Sequence, residues 1–97
     1  MRACMKGAVE VLTHYLAKEL GDRRITVNTL APGAIATDFG GGAVRDKPAL
    51  NQALASQTAL GRVGLLDDIG RAAAMLLSPN CGWINGQRIE VAGGMLL

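Results

Sequence analysis

The run Val27-Asn28-Thr29-Leu30-Ala31-Pro32-Gly33-Ala34-Ile35-Ala36-Thr37 is the part of this 97-residue chain best suited to hold a ligand. It reads as a β-branched strand that stops at Pro-Gly and enters a loop of small residues. Pro32 has no backbone N–H with which to continue a ladder, and Gly33 lets a ligand come close to the main chain. In open α/β sheets ligands bind just beyond the carboxyl ends of parallel strands, where this loop would sit. The other reactive side chains are sparse. Cys4 and Cys81 lie far apart and lack the Cys/His spacing of a zinc site, so no metal is expected. His14 falls on a solvated helix face, Trp83 reads as a packing aromatic, and Arg23-Arg24 as a solvated turn.

The elements that must position this loop can be traced by periodicity. From Ala3 to Leu20, Met5, Val9, Leu12, Leu16 and Leu20 recur at helical intervals, and Ala8, Val11 and Tyr15 extend a second apolar face. Only Glu10, His14 and Lys18 form a polar stripe, so the helix is expected to be covered on two sides, by a sheet and by another helix or subunit. Gly21 offers a stop, with Lys18 near the negative end of the helix dipole. A strand follows over Ile25 to Ala31. Gly40-Gly41-Gly42 reads as a flexible hinge. Asp46 is placed to cap a short helix running to about Ala59, with Pro48 in its first turn. Asp67 and Asp68 mark the start of a further helix through Ile69, Ala72, Ala73, Leu76 and Leu77, ended before Pro79. Arg88-Ile89-Glu90-Val91 is a second strand, with Ile89 and Val91 on one face. The order is helix–strand–helix–helix–strand, an α/β class in which two parallel strands are joined by a helical crossover.

Composition narrows the function classes. Apolar residues make up 49% of the chain, only three residues are aromatic, and thirteen are glycine. A mean hydropathy of +0.24 argues against disorder. The net charge of +2 is too small to suggest nucleic acid. No window approaches the ~20 apolar residues of a membrane span, and no secretory signal is visible, so a reduced, cytoplasmic setting is expected.

Four blocks in sequence, Lys6-Gly7-Ala8-Val9-Glu10, the Val27–Thr37 run, Gly61-Arg62-Val63-Gly64-Leu65-Leu66-Asp67-Asp68-Ile69 and Gly86-Gln87 through Gly93-Gly94, resemble the C-terminal part of a short-chain dehydrogenase/reductase. The resemblance implies a fragment of a doubly wound, Rossmann-like parallel sheet, with residues 1–97 as its C-terminal portion and the N-terminal cofactor-binding half absent from them. It also implies NAD or NADP as cofactor, an alcohol or ketone as substrate, and a homo-oligomer, with no nucleic-acid or membrane partner. By the same resemblance Lys6 would be a catalytic residue, its charge favouring the family's tyrosinate, and would hold the nicotinamide ribose hydroxyls. Pro32, Gly33, Ile35 and Thr37 would form the loop under the nicotinamide, with the Ile35 backbone on the carboxamide and the Thr37 hydroxyl on the carboxamide or pyrophosphate.

One position departs from the family pattern. The family places a tyrosine four residues before that lysine, so that both reach one cleft from one helix face. Arg2 stands there. An arginine has no proton to lose near neutral pH and no acceptor, so it cannot act as general acid or base. Tyr15 lies nine residues past Lys6, about 13 Å along a helix, too far to take over. The 97 residues also contain no glycine-rich pyrophosphate turn and no Asn-Asn-Ala-Gly run, and Ala92 stands where the family commonly has an acid. The chain by itself is therefore expected to be inactive. The alternatives are a non-catalytic oligomerisation or interaction fragment, or a mis-assigned start of a full-length enzyme.

Overall fold

A computed structural model describes residues 2–97, with side chains from Cys4 onward. The elements are α1 (Arg2–Leu20), β1 (Thr29–Pro32), α2 (Ala43–Asp46), α3 (Pro48–Ser56), α4 (Leu66–Leu76) and β2 (Arg88–Val91), with short 3-10 turns at Gly21–Arg23, Phe39–Gly42 and Pro79–Cys81. The two strands form one sheet. Thr29 N–H donates to Gln87 O at 2.8 Å and Gly33 N–H to Val91 O at 3.1 Å. Partners thus advance together along both strands, which makes the pairing parallel. The chain forms two compact units, one built from the residues up to Leu30 with Met75–Ile89, the other from Ala31–Ala74 with Glu90–Leu97.

In the first unit, α1 meets the start of β1 through small side chains. Thr13 and Ala17, one helical turn apart, are 7% and 6% exposed. Thr13 donates its hydroxyl to Val9 O at 2.8 Å, so with its one proton committed it accepts from the Thr29 hydroxyl. Ala17 stands beside Gly86, where a Cβ would come within 3.6 Å of the alanine methyl. This corrects the expectation that Met5, Val9 and Leu12 line the packed face, for all three are exposed. Close approach of helix to strand selects small residues, whereas the large ones project outward. Glu10, expected on a solvated stripe, bonds Arg88 at 2.7 Å. Tyr15 is 70% exposed and Trp83 fully so, and neither packs as expected.

Boundaries shift for local reasons. α1 ends before Gly21, but the left-handed residue that turns the chain is Arg24, at φ 57°, after one 3-10 turn. The first strand begins at Thr29 rather than Ile25 because asparagine side chains replace ladder bonds ahead of it. Val27 N–H donates to Asn85 Oδ1 at 2.9 Å. Asn28 donates Nδ2–H to Ile84 O and accepts from Gln87 N–H, each at 3.0 Å.

In the second unit, the helix expected over residues 46–59 is α3, Pro48–Ser56, and a separate short helix, α2, precedes it over Ala43–Asp46. Pro48 disfavours helical backbone in the residue before it, and Lys47 is extended at φ −100°, ψ 104°. Asp46 consequently ends α2 and caps nothing. Asp68, by contrast, does serve the start of α4: its Oδ2 accepts from Leu65 N–H at 2.7 Å, the reach-back half of a capping box. β2 spans the residues expected, with Ile89 and Val91 the more buried pair.

Candidate active site

The Pro32–Thr37 loop lies wholly in the second unit and is braced on two sides. Gly33 N–H continues the β1–β2 ladder, and Gly33 sits so close to the other strand that a Cβ on it would stand 2.8 Å from Ala92 Cβ and 2.9 Å from Ala92 Cα. Only glycine fits this crossing. Beyond it, Gly64 N–H donates to Ala34 O at 2.8 Å and Ala36 N–H donates to Gly64 O at 2.9 Å, so Ile35 faces Gly64 across an isolated parallel bridge. A Cβ at Gly64 would overlap Ile35 Cδ1, which fixes the isoleucine side chain over bare backbone.

This bridge leaves a chemical opening at Ile35. Successive backbone groups along an extended segment point to opposite edges, so the Ile35 N–H and C=O face away from Gly64. Among the described residues neither has a hydrogen-bond partner. Two residues on, Thr37 Oγ1 accepts from Phe39 N–H at 3.1 Å, which leaves the hydroxyl proton available to donate outward. Ile35 and Thr37 share an open apolar cleft of about 570 Å³ with Pro32, Phe39, Val44 and Ile69. The loop thus offers a backbone donor and acceptor at Ile35 and a hydroxyl at Thr37, on two residues that line an apolar cleft.

Charges near the loop are held in two ion-paired groups, one a pair and the other an arginine between two carboxylates. Arg62 grips Asp68 with both terminal nitrogens, at 2.8 and 3.1 Å. That grip, with the Leu65 amide, holds the Asp68 carboxyl down at about 2. Arg62 and Asp68 border a second, smaller cavity of about 170 Å³, which Ile35 also lines. Arg45 bonds Asp46 through Nε at 2.7 Å and Nη2 at 2.9 Å, and Asp38 through Nη1. The hydrogen bonds that Asp46 accepts from Arg45, and then the charge of that guanidinium, lower the Asp46 carboxyl below its ordinary value.

The structure thus gathers Pro32, Gly33, Ile35 and Thr37 in one loop, with the last two contributing polar atoms. Lys6 is exposed on α1, in the first unit. Arg2, expected from the sequence to stand at the family's tyrosine position, opens α1, and its side chain lies outside the described ones. Among the described residues no group of three or more His, Cys, Asp or Glu could hold a metal, and no helix is long and apolar enough to cross a membrane. Sequence reasoning missed the asparagine clamps and the Arg45 network. Asn28 does carry a signal, since asparagine is a poor strand residue and here interrupts a β-branched run. The Arg45–Asp38 pairing follows from no local rule.

A family model described as enoyl-(acyl carrier protein) reductase matches residues 1–96. The chain belongs to the short-chain dehydrogenase/reductase family. The 3-oxoacyl-[acyl-carrier-protein] reductase FabG of Pseudomonas aeruginosa is 38% identical over 96 residues, covering 98% of this chain and 37% of that protein. Among solved structures, the promiscuous reductase LugOII, which catalyses keto-reduction at C1 during lugdunomycin biosynthesis, is 40% identical with a TM-score of 0.83, over 95% of this chain and 35% of its own. The angucycline C-6 ketoreductase LanV, solved with bound NADP, is 35% identical with a TM-score of 0.80, over 94% and 34%. This short-chain dehydrogenase/reductase chain therefore spans little more than a third of the length of the relatives it matches. Its α/β class and parallel strand pair are those of the corresponding part of the family's Rossmann-like fold.

Proposed function

We propose that these residues form the nicotinamide side of an NAD(P)-dependent oxidoreductase site acting on an alcohol or ketone. The observation that carries this reading is the unpartnered N–H and C=O of Ile35 beside the outward-facing Thr37 hydroxyl, on a loop braced by Gly33 and Gly64. These groups match a carboxamide, which both donates and accepts, and the apolar cleft beside them matches the ring. A bound nicotinamide supplies the hydride donor or acceptor. The chain's own part is to orient the ring: Ile35 fixes the carboxamide, Thr37 donates to it, and Pro32 and Gly33 set the floor. Lys6 would hold ribose hydroxyls through its ammonium. Arg2 cannot exchange a proton with the substrate oxygen, so in this reading the 97 residues alone lack the general acid and are inactive.

Support for the cofactor comes from LanV, and for a ketone substrate from LugOII and LanV. The domain assignment follows in the same reading: residues 1–97 act as the C-terminal portion, with the pyrophosphate and adenosine held by residues outside them. A cytoplasmic location accords with Cys4 and Cys81, neither of which is in a disulfide. Self-association forms part of the proposal as well, supported by the exposed apolar face of α1.

Titration of the ¹⁵N-labelled chain with nicotinamide mononucleotide tests the site. Amide shifts centred on Ile35 to Thr37 are expected, with intact NADP(H) binding weaker than low micromolar. Shifts elsewhere, or tight binding of the whole dinucleotide by these residues alone, would refute the assignment. For catalysis, Arg2→Tyr alone should give no turnover. Joined to the cofactor-binding half of FabG, the Arg2→Tyr form should outrun the Arg2 form by about 10²–10⁴-fold, the usual weight of a general acid.

A further inference from the structure

Three consecutive glycines lie between Phe39 and Val44, two of the residues that line the cleft, and all are left-handed: Gly40 at φ 65°, Gly41 at 75° and Gly42 at 78°. Glycine visits both signs of φ freely, so such a run has no intrinsic reason to keep one shape. Here it is tied at both ends. Phe39 N–H donates to Thr37 Oγ1, and Gly42 N–H donates to Asp38 O at 3.1 Å. Across the run, the Arg45 guanidinium bonds the Asp38 carboxylate while gripping both oxygens of Asp46. Gly42 is buried beneath this bridge, and a Cβ there would stand 2.5 Å from Arg45 Nη2 and 2.8 Å from Asp46 Oδ2. The glycine therefore makes room for the ion pair. Phe39 and Val44, on either side of the tied segment, are both walls of the cleft.

We propose that Arg45 is a positioning residue for the cleft: its clasp on Asp38 holds the Gly40–Gly42 strap and so sets where Phe39 and Val44 stand opposite Ile35 and Thr37. The proposal rests on the reading of this cleft as the ligand site, although the clasp can be tested without a ligand. Its strength is modest by construction. Arg45 and Asp38 are 46% and 92% exposed, and exposed pairs are weak and screened by salt. The strap is thus held firmly enough to define a wall and loosely enough to open.

Amide exchange of the ligand-free 97-residue chain is the test, followed at the Phe39 and Gly42 amides. In Arg45→Gln and in Asp38→Asn, both should exchange about two- to fivefold faster than in the parent. Raising salt to about 1 M should speed them similarly in the parent and leave both variants unmoved. Arg45→Lys should fall between, because it keeps the charge and loses the forked grip. The α4 amides should not change. Unaltered exchange at Phe39 and Gly42 in Arg45→Gln, or an acceleration shared by α4, would overturn the proposal. Failure here leaves the nicotinamide reading standing, while failure of the mononucleotide to shift Ile35 and Thr37 leaves the clasp standing.

Discussion

Asp68 shows how one side chain can hold a loop and a helix together. Its carboxylate takes two bonds from Arg62 and one from the Leu65 amide at the head of α4. Those donors favour the charged form, first the arginine and then the amide, and lower the carboxyl from 3.8 to about 2. A depressed acid stabilises the fold above its unfolded pKa and loses that contribution as pH falls through the folded one. Asp68→Asn should therefore melt below the parent at neutral pH, and the gap should close between pH 3.8 and about 2. Circular-dichroism melts across that range decide the matter, and a gap independent of pH would detach the charge from stability. Asn28 makes a second case. Asn28→Ala would strip partners from Ile84 O and Gln87 N–H together, at a cost of about 1–2 kcal/mol by chemical denaturation. Asn28→Asp should not rescue it, since a carboxylate oxygen would then face the Ile84 carbonyl.

Among the elements, the tightest tolerance lies where β1 runs out beside the end of β2. Gly33→Ala would press a methyl into Ala92, and overpacking of this kind costs about 1–3 kcal/mol. An unchanged unfolding midpoint in that variant would mean that the strands can part there. The same crossing explains what could be read from sequence. Pro32, Gly33, Ile35 and Thr37 came out together because they are consecutive in one loop, and β2 matched because alternation shows which of its residues face inward. The acidic start of α4 was legible from Asp67 and Asp68 for the same local reason. What failed was whatever depends on distance between elements. The packed face of α1 belongs to Thr13 and Ala17 because the helix lies close to the chain at Thr29 and Gly86, and hydrophobicity alone ranks both below Leu12. The Asp46 cap was lost for a local reason instead: Pro48 holds Lys47 extended, so Asp46 becomes the last residue of α2 and stands outside the start of α3.

At the scale of the whole molecule, the apolar surface outweighs the core. Sixteen large apolar or aromatic side chains are exposed among the described residues, while the buried apolar ones are Ala17 and Val63. Exposure on this scale favours association. Light scattering of the isolated chain should show a mass that rises with concentration, and a well-protected monomer at high concentration would contradict the proposed self-association. Charge does little to oppose it, at +2 overall. The strand pair has a consequence of its own during synthesis. Thr29 waits for Gln87 and Gly33 for Val91, so each bond closes a loop of nearly sixty residues. Loop closure of that length is slow compared with forming local helices, so α1, α3 and α4 can form while β1 is still unmatched. Until residues 88–91 leave the ribosome, β1 offers a bare strand edge to whatever passes. The order of translation thus leaves the Pro32–Thr37 loop, which hangs from that edge, among the last parts to be fixed in place.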